Sequence, residues 1–567
     1  MMKDAKKSSF PWTYHYPPDI AWDVEYVPSP LFDIFDQTVR RFPDNSCLHF
    51  LGKTFTYQDV NSLINQVARG FQDFGVGQGT RIGIFMPNTP YYVIFYYAIL
   101  KVGGVVVNFN PLYVASEIRH QIEDSHCEIM VTLDLDFLFK KVHAHLQTSA
   151  LRKIIVCPLK HVLPFPKNIL FPLVKFKDLA SIPKHENIIY YTDLIKNEGN
   201  PKIPVIDPLA DTALIQYTGG TTGTPKGALL THYNLYCNAL QCEAWFSPLV
   251  THGEEKILAV LPFFHVFAMT VVMNLSIRVG GEIVMMFPRF DIDEAMKLVQ
   301  KHKITCLPAV PTIYTMINNH KNRHLFNLKS LKACISGGAA LPVEVKNEFE
   351  RLTGAKLIEG YGLTEASPVV CANPLRGANK AGSIGLPLPQ SFIKIMSLDQ
   401  PDVEVPLGQT GQIVVRGPQV MKGYWHQPHE SSAVLKDGFL YTGDVGYMDE
   451  EGYTFLIDRL KDLIIVNGYN VYPRMIEEAI HRHAAVEEVS VVGIPDKSHG
   501  EVVKAFIKLR AGSHSTAEDI KTFLKGHLSP LEMPKQIEFR DALPKTMIGK
   551  LSKKELRVSH PHQDHKI

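Results

Sequence analysis

Paired cysteines are missing from this sequence: eight stand singly along 567 residues, the nearest two being Cys237 and Cys242. That spacing offers neither a zinc-ligand pair nor a redox pair, and it fits reduced thiols in a cytosolic protein rather than a disulfide framework. An excess of charge is missing too. With 59 basic and 57 acidic side chains the formal net charge is +2, which excludes a general nucleic-acid binder and leaves nucleotide binding to local geometry. The opening "MMKDAKKSSFPW" has no apolar run behind its charges, so no cleaved secretion signal is expected. Hydrophobic residues at 45% and charged residues at 20% are ordinary for a globular protein. The length exceeds what one hydrophobic core supports, so several domains or subdomains are expected.

One uncharged window, "ILAVLPFFHVFAMTVVMNLSI" at 257–277, is long enough to span a membrane. Pro262 and His265 interrupt it, and Gly280, Gly281 and the strand-like "EIVMMF" follow. A buried strand, turn and helix is the expectation. The same order occurs in "RIGIFMPNTPYYVIFYYAILKVGGVVVNFNP" at 81–111, with Gly103 and Gly104 before its second strand. Two such units predict an α/β fold, a large N-terminal domain of stacked subdomains whose near-continuous apolar strands form buried parallel sheets. From about 382 to 457 short strands and turns predict a β-rich subdomain. Beyond "DRLKDLIIVNGYNVYP" the mixed patterns "VSVVGIP", "EVVKAFIKL" and "EDIKTFLKGHL" predict a small α+β C-terminal domain.

Two segments have competing readings. Residues 160–177, "KHVLPFPKNILFPLVKFK", alternate basic and bulky apolar side chains. They suit either a surface resting on an anionic membrane or a solvated loop with a few buried anchors, and the prolines preclude a long amphipathic helix. The terminal "HPHQDHKI" carries His560, His562 and His565; without other ligands near in sequence, a disordered tail is expected rather than a metal site.

The chemistry-bearing stretch is "YTGGTTGTPKGALLTH" at 217–232, with four glycines and five threonines around one lysine. Glycine frees backbone N–H groups to converge on an anion and threonine adds hydroxyl donors, so the stretch predicts a phosphate cradle. It is not a P-loop NTPase signature, because Lys226 sits between Pro225 and Gly227 instead of preceding Ser or Thr. In "EGYGLTEASP" at 359–368, Tyr361 offers a face to a purine, Thr364 a donor to phosphate and Glu365 a hard oxygen for Mg2+. The glycines of "ISGGAAL" at 335–341 allow close approach to a flat base. "YTGD", ending at Asp444, supplies an acceptor for ribose hydroxyls, "DRLKD" supplies the cation Arg459, and "PKTMIGKLSKKEL" presents Lys550 after a Pro/Gly turn.

In this order the motifs resemble the adenylate-forming superfamily over nearly the whole chain. Within it, "VVVNFNPLY", "LPFFHVFA", "GSIGLPLP", "GPQVMKGYW", "YTGDVGYMDEEGY" and "NGYNVYP" look most like bacterial long-chain fatty-acid–CoA ligases. The resemblance implies ATP-dependent formation of an acyl-adenylate with release of pyrophosphate, then thioester formation with CoA. It implies a large domain over 1–458, a hinge at 459–461 and a mobile lid over 462–567 that carries the catalytic lysine. Thr218, Gly219, Gly220, Thr221, Thr222, Gly223, Thr224 and Lys226 would hold the phosphates, with Thr218 and Glu365 near Mg2+. Gly338, Glu359, Gly360 and Tyr361 would frame adenine, with Gly337, Ala339 and Gly362 in the nucleotide-binding set; Thr364 would meet the α-phosphate, and Asp444 and Arg459 the ribose. Lys550 would bridge the carboxylate and the α-phosphate, Lys461 would lie at the hinge, and Gly468 would join the nucleotide-binding set.

His265 matches a position beside the acyl and thiol path, and equally suits a hydrogen-bonded core histidine. Met269 stands where some relatives carry a gating tryptophan, and Ile465 where several carry a lysine. A fatty-acyl-AMP ligase serving a carrier protein is the alternative within the superfamily, but no insertion follows the hinge. A non-catalytic acyl or nucleotide sensor is the alternative outside it, and retention of both Glu365 and Lys550 argues against that. The expected setting is cytoplasmic, with contact to the inner face of an anionic membrane and a homodimer both left open.

Overall fold

The computed structural model describes residues 10–218, 225–467, 469–496, 498, 500–545 and 551–558. The histidines of the terminal tail lie outside them. Among the described residues the strands form four sheets. In the eight-stranded sheet, Thr212–Tyr217, Val105–Asn108, Arg81–Phe85, Ile129–Leu133, Lys153–Cys157 and Ile188–Tyr190 run parallel in that spatial order. Gly227–Thr231 and Gly423–Tyr424 extend its edge antiparallel. In the nine-stranded sheet, Lys356–Gly362, Ala333–Ser336, Cys306–Ala309, Lys256–Ala259, Glu282–Met285 and Ser46–Phe50 run parallel, with antiparallel strands outside.

The two echoing segments occupy equivalent places in these sheets. In the first, strand Arg81–Phe85 leads through helix Pro90–Lys101 to the parallel neighbour Val105–Asn108. In the second, strand Lys256–Ala259 leads through the helical stretch Ala268–Arg278 to Glu282–Met285. Pro90 suits the first helical turn, where an N–H has no partner within the helix, and every side chain of Pro90–Lys101 is buried. A helix apolar all round must be covered on all sides, and the second unit supplies cover: Tyr92 donates to the Phe263 carbonyl at 2.9 Å and Tyr97 to Asn274 Oδ1 at 2.9 Å. The supposed membrane window is therefore a core strand, a turn and a buried helical segment. No helix among the described residues is long and apolar enough to cross a membrane.

The third sheet is antiparallel and is built from Phe392–Met396, Gly411–Arg416, Leu435–Lys436, Phe439–Met448 and Thr454–Arg459. Two short strands from this stretch of chain pair elsewhere: Leu386–Pro387 joins the nine-stranded sheet and Gly423–Tyr424 the eight-stranded one. The fourth sheet comprises Tyr469–Val471, Ile464–Val466, Gly500–Leu509, Val486–Asp496 and Gln536–Phe539. It carries its own apolar cluster, including Ile464, Ile476, Val491, Ile507, Ile520 and Leu524, as an independent small fold requires.

Candidate active site

Strand Thr212–Tyr217 runs into the glycine–threonine tract and the chain returns as Gly227–Thr231, with Tyr217 opposite Gly227. The Thr218 N–H donates to the Lys226 carbonyl at 2.9 Å, so these two expected phosphate-binding residues face each other across the ends of the tract. Gly219, Gly220, Thr221, Thr222, Gly223 and Thr224 lie outside the described residues. The Lys226 ammonium pairs with Glu430 and stands 5.3 Å from the centroid of the Tyr424 ring. Tyr424 reaches this place because its strand pairs with Gly227–Thr231, Tyr424 opposite Ala228. Its hydroxyl donates to Glu365 Oε1 at 2.8 Å, and the Met421 N–H donates to the Glu365 carbonyl at 2.8 Å. Glu365 is thus brought from the other large sheet to the mouth of the tract, two hydrogen-bonded or stacked neighbours away from Lys226.

Strand Lys356–Gly362 is the spine of the arrangement. It lies parallel to Ala333–Ser336, with Glu359 opposite Ser336, and antiparallel to Val369–Ala372. Gly362 tolerates no side chain there, since an added Cβ would lie 2.1 Å from the Pro368 carbonyl oxygen, whereas at Gly360 it would lie 2.8 Å from Ile335 Cδ1 and the isoleucine would have to shift. Past the spine, Thr364 and Glu365 sit on the 3-10 turn Thr364–Ala366.

The Glu359 carboxylate is buried and accepts from the Leu341 N–H at 3.3 Å. Burial pushes its pKa up to about 7, against the opposing pull of the Arg474 charge. The turn Gly337, Gly338 and Ala339 follows the neighbouring strand directly, and the hydrogen bond from Leu341 holds the end of that turn over Glu359. Gly338 has φ of +81°, and both it and Ala339 are exposed at the opening.

One step along the strand from Gly360, the Tyr361 hydroxyl donates to Asp444 Oδ2 at 2.5 Å. Asp444 is buried and pairs through Oδ1 with Arg459 Nε at 3.2 Å, its cross-strand partner in the third sheet. Three residues far apart in sequence are therefore one cluster. Lys461 is exposed on the 3-10 turn Leu460–Asp462 that follows Arg459.

His265 is half-buried on the turn before Ala268–Arg278. Its Nδ1 accepts from the Phe267 N–H at 3.3 Å, and the Phe267 ring abuts Gly337. The histidine thus belongs to the wall beside the Gly337 turn. Met269, at the expected gate position, is fully buried, with its sulfur 3.7 Å from Asn108 Nδ2. Ile465 is exposed.

Gly468 and Lys550 lie outside the described residues, but the described residues on either side of 546–550 are tied together. Lys545 bridges Leu551 in antiparallel fashion, and the Ser552 N–H donates to the Pro544 carbonyl at 2.8 Å. Helix Lys553–Val558 then ties back to the chain: Lys553 Nζ pairs with Glu477 at 2.9 Å, and Arg557 pairs with Asp462, beside Lys461, at 3.1 Å.

Sequence reasoning missed Tyr424, Glu430, Arg474 and Arg557. Tyr424 lay within the quoted "GPQVMKGYW", but its hydrogen bond to Glu365 depends on a strand changing sheets, for which no local pattern exists. The eight cysteines are all buried free thiols, in keeping with the absence of any pairing pattern. Among the described residues no group of three or more His, Cys, Asp or Glu side chains is placed to hold a metal ion.

Two family profiles match the chain: that of the AMP-binding enzymes over residues 35–425, and that of the AMP-binding enzyme C-terminal domain over 475–550. The long-chain-fatty-acid–CoA ligase of Bacillus subtilis (strain 168) is 44% identical over 562 residues, covering 99% of this chain and 100% of that protein. The long-chain-fatty-acid–CoA ligase of Escherichia coli O6:H1 is 36% identical over 555 residues, covering 96% and 97%. Among solved structures, ATP-bound MatB from Rhodopseudomonas palustris aligns with a TM-score of 0.81 at 27% identity, covering 93% of this chain and 98% of that one. The o-succinylbenzoate CoA synthetase MenE of Bacillus subtilis, in complex with its acyl-adenylate intermediate OSB-AMP, aligns at 0.75 and 25% identity, covering 95% and 99%.

Proposed function

The chain belongs to the AMP-binding enzyme family, and on that premise we propose that it is an AMP-forming long-chain fatty-acid–CoA ligase using ATP, Mg2+ and CoA. In the first half-reaction a fatty-acid carboxylate oxygen bonds to the α-phosphorus of ATP while the link between the α- and β-phosphates breaks, releasing pyrophosphate. In the second, the CoA sulfur, having given up its proton, bonds to the acyl carbon, and the acyl–oxygen bond breaks to release AMP. Both the carboxylate and the triphosphate are anions. Adenylation therefore needs fixed donors and positive charge where the new bond forms.

The observation that carries this reading is the single strand Lys356–Gly362 with its following turn. It supplies Glu359, then Tyr361 bound to Asp444, then Glu365 bound to Tyr424 beside Lys226. We assign adenine to the opening framed by Glu359, Gly360, Tyr361, Gly362 and the Gly337–Ala339 turn. Asp444, with one oxygen held by Tyr361 and the other by Arg459, keeps lone pairs on both oxygens for the ribose hydroxyls. Lys226, Thr218 and the tract between them receive the β- and γ-phosphates, and Thr364 the α-phosphate. We take residues 1–458 as the large domain, 459–461 as the hinge and 462–567 as the lid bringing Lys550 to the reacting atoms.

The donor set fits Mg2+ that arrives with the nucleotide. A site built from one carboxylate, Glu365, and one hydroxyl, Thr218, suits an ion that keeps waters and draws other ligands from substrate phosphates. Bound there, the ion would neutralise phosphate charge. The chain's own residues do the rest: Tyr424 holds the Glu365 carboxylate in place, and Glu430 holds Lys226 until phosphate replaces it. The free thiols and the ligase reading together lead us to place the enzyme in the cytoplasm.

A pyrophosphate-release panel tests the function: acids of four to twenty carbons, a benzoate and an amino acid, each with and without CoA. Pyrophosphate with long-chain acids, and AMP formation dependent on both acid and CoA, are expected. A flat response across the fatty acids refutes the substrate class. Acyl-adenylate that accumulates unchanged in the presence of CoA favours a carrier-protein acceptor.

A further inference from the structure

We propose that residues 165–177 form a docking surface for an anionic lipid bilayer. This goes beyond the ligase reading above and requires nothing of the catalytic residues.

Helix Lys167–Val174 and the 3-10 turn Phe176–Asp178 bury no side chain completely, Phe171 being half-buried against the core. Phe165, Leu173, Val174 and Phe176 are 79%, 70%, 73% and 63% exposed, and Ile169 and Leu170 are exposed beside them. Isolated exposed apolar residues need no explanation, but a contiguous group of this size marks an interaction site. An eight-residue helix around Pro172 that packs on the core through Phe171 is too short to hold itself, and its ends are tied down as well. Lys167 Nζ donates to the Leu51 carbonyl at 2.9 Å, Lys53 Nζ donates to the His161 carbonyl at 2.8 Å, and Leu179 bridges Leu135. Val162 and Leu163 are buried anchors ahead of the helix. The fold therefore tethers this segment while presenting its apolar side chains other than Phe171 outward.

Charge selects the occupant. Residues 160–177 contain Lys160, Lys167, Lys175 and Lys177 and no acid, in a chain whose charges otherwise nearly balance. The nearest acid, Asp178, pairs with Lys175 at 3.3 Å. A second copy of the chain docking about a two-fold axis would set these lysines against their own images, which like-charge repulsion opposes. The Lys167 ammonium is engaged by the Leu51 carbonyl; an anionic headgroup layer attracts the other three, whose aliphatic stems would lie along the acyl boundary while their ammonium groups stay wet. Each lysine at such a surface contributes about a fivefold gain in binding.

The test is sedimentation of the full-length protein with extruded vesicles of phosphatidylcholine alone or with about one third phosphatidylglycerol, at low and high salt. Binding to the mixed vesicles that falls at least tenfold at high salt, and at least tenfold in the triple variant Leu173→Glu, Val174→Glu, Phe176→Glu, is expected. The pair Lys175→Glu, Lys177→Glu should weaken binding to mixed vesicles and leave the weak binding to phosphatidylcholine unchanged. Both variants should keep the thermal midpoint of the parent, which excludes misfolding as the cause. Mixed-vesicle binding that is absent, or unaltered in either variant, overturns the proposal. So does equal binding to both vesicle types, or a dimer seen by light scattering that the triple variant dissociates. Because vesicle binding is read without turnover, it stands or falls separately from the pyrophosphate panel.

Discussion

Glu359 makes the nucleotide-free protein less stable as pH rises, and the size of the effect follows from its burial. An ordinary glutamate releases its proton near 4.5, and this one near 7, because desolvation outweighs the charge of Arg474 and the Leu341 hydrogen bond, with Glu478 adding to the rise. At about 1.4 kcal/mol per pH unit the gap is worth about 3 kcal/mol. Between those two pH values the folded protein holds a proton that the unfolded chain has released, so stability falls with rising pH across the window. Glu359→Gln keeps the shape and an acceptor for the Leu341 N–H while removing the ionisation. The variant should therefore exceed the parent by about 3 kcal/mol at pH 8 and lose most of that advantage at pH 5. For a chain of 567 residues, an unfolding entropy of about 1.2 kcal/mol per degree turns this into a midpoint difference of about 2–3 °C. Differential scanning fluorimetry without nucleotide at pH 5, 6.5 and 8 measures it. A midpoint difference independent of pH, or a parent that gains on the variant between pH 5 and pH 8, refutes the reasoning.

Three further outcomes are expected. Lys550→Ala should lower pyrophosphate release by about two to three powers of ten, the scale for losing a preorganised charge; an unchanged rate removes Lys550 from adenylation. Lys461→Pro should spare adenylation more than thioester formation from preformed acyl-adenylate, because the hinge serves the step between them; equal losses in both half-reactions would sink the hinge assignment. Glu430→Gln should release Lys226 for phosphate and lower KM for MgATP by about threefold, the scale of an exposed ion pair, leaving KM for the fatty acid unchanged; a rise in KM for MgATP would show that Glu430 assists binding instead.

Several features of the fold were legible because they are local. The repeated order of apolar strand, apolar helix, Gly-Gly and strand at 81–111 and 257–287 specifies buried parallel layers, since a helix and strands with no polar face must be covered on every side. The glycines and threonines of 217–232 declare an anion site through backbone freedom and hydroxyl count alone. The ordered motifs identified the family, and through it the reaction. The prolines of 160–177 ruled out a long helix there, and the helix that forms is eight residues long.

What the sequence could not specify were the pairings made between sheets. Tyr361 meets Asp444 across 83 positions, and Tyr424 meets Glu365 across 59. Hydrophobic periodicity fixes which face of a strand is buried, but not which distant strand will cross above it. The raised pKa of Glu359 belongs to the same class, because desolvation is a property of everything packed around a group and of nothing in its neighbours along the chain. Composition and order thus determined the chemistry this protein handles. The meeting of three sheets around one strand decided which groups stand close enough to perform it.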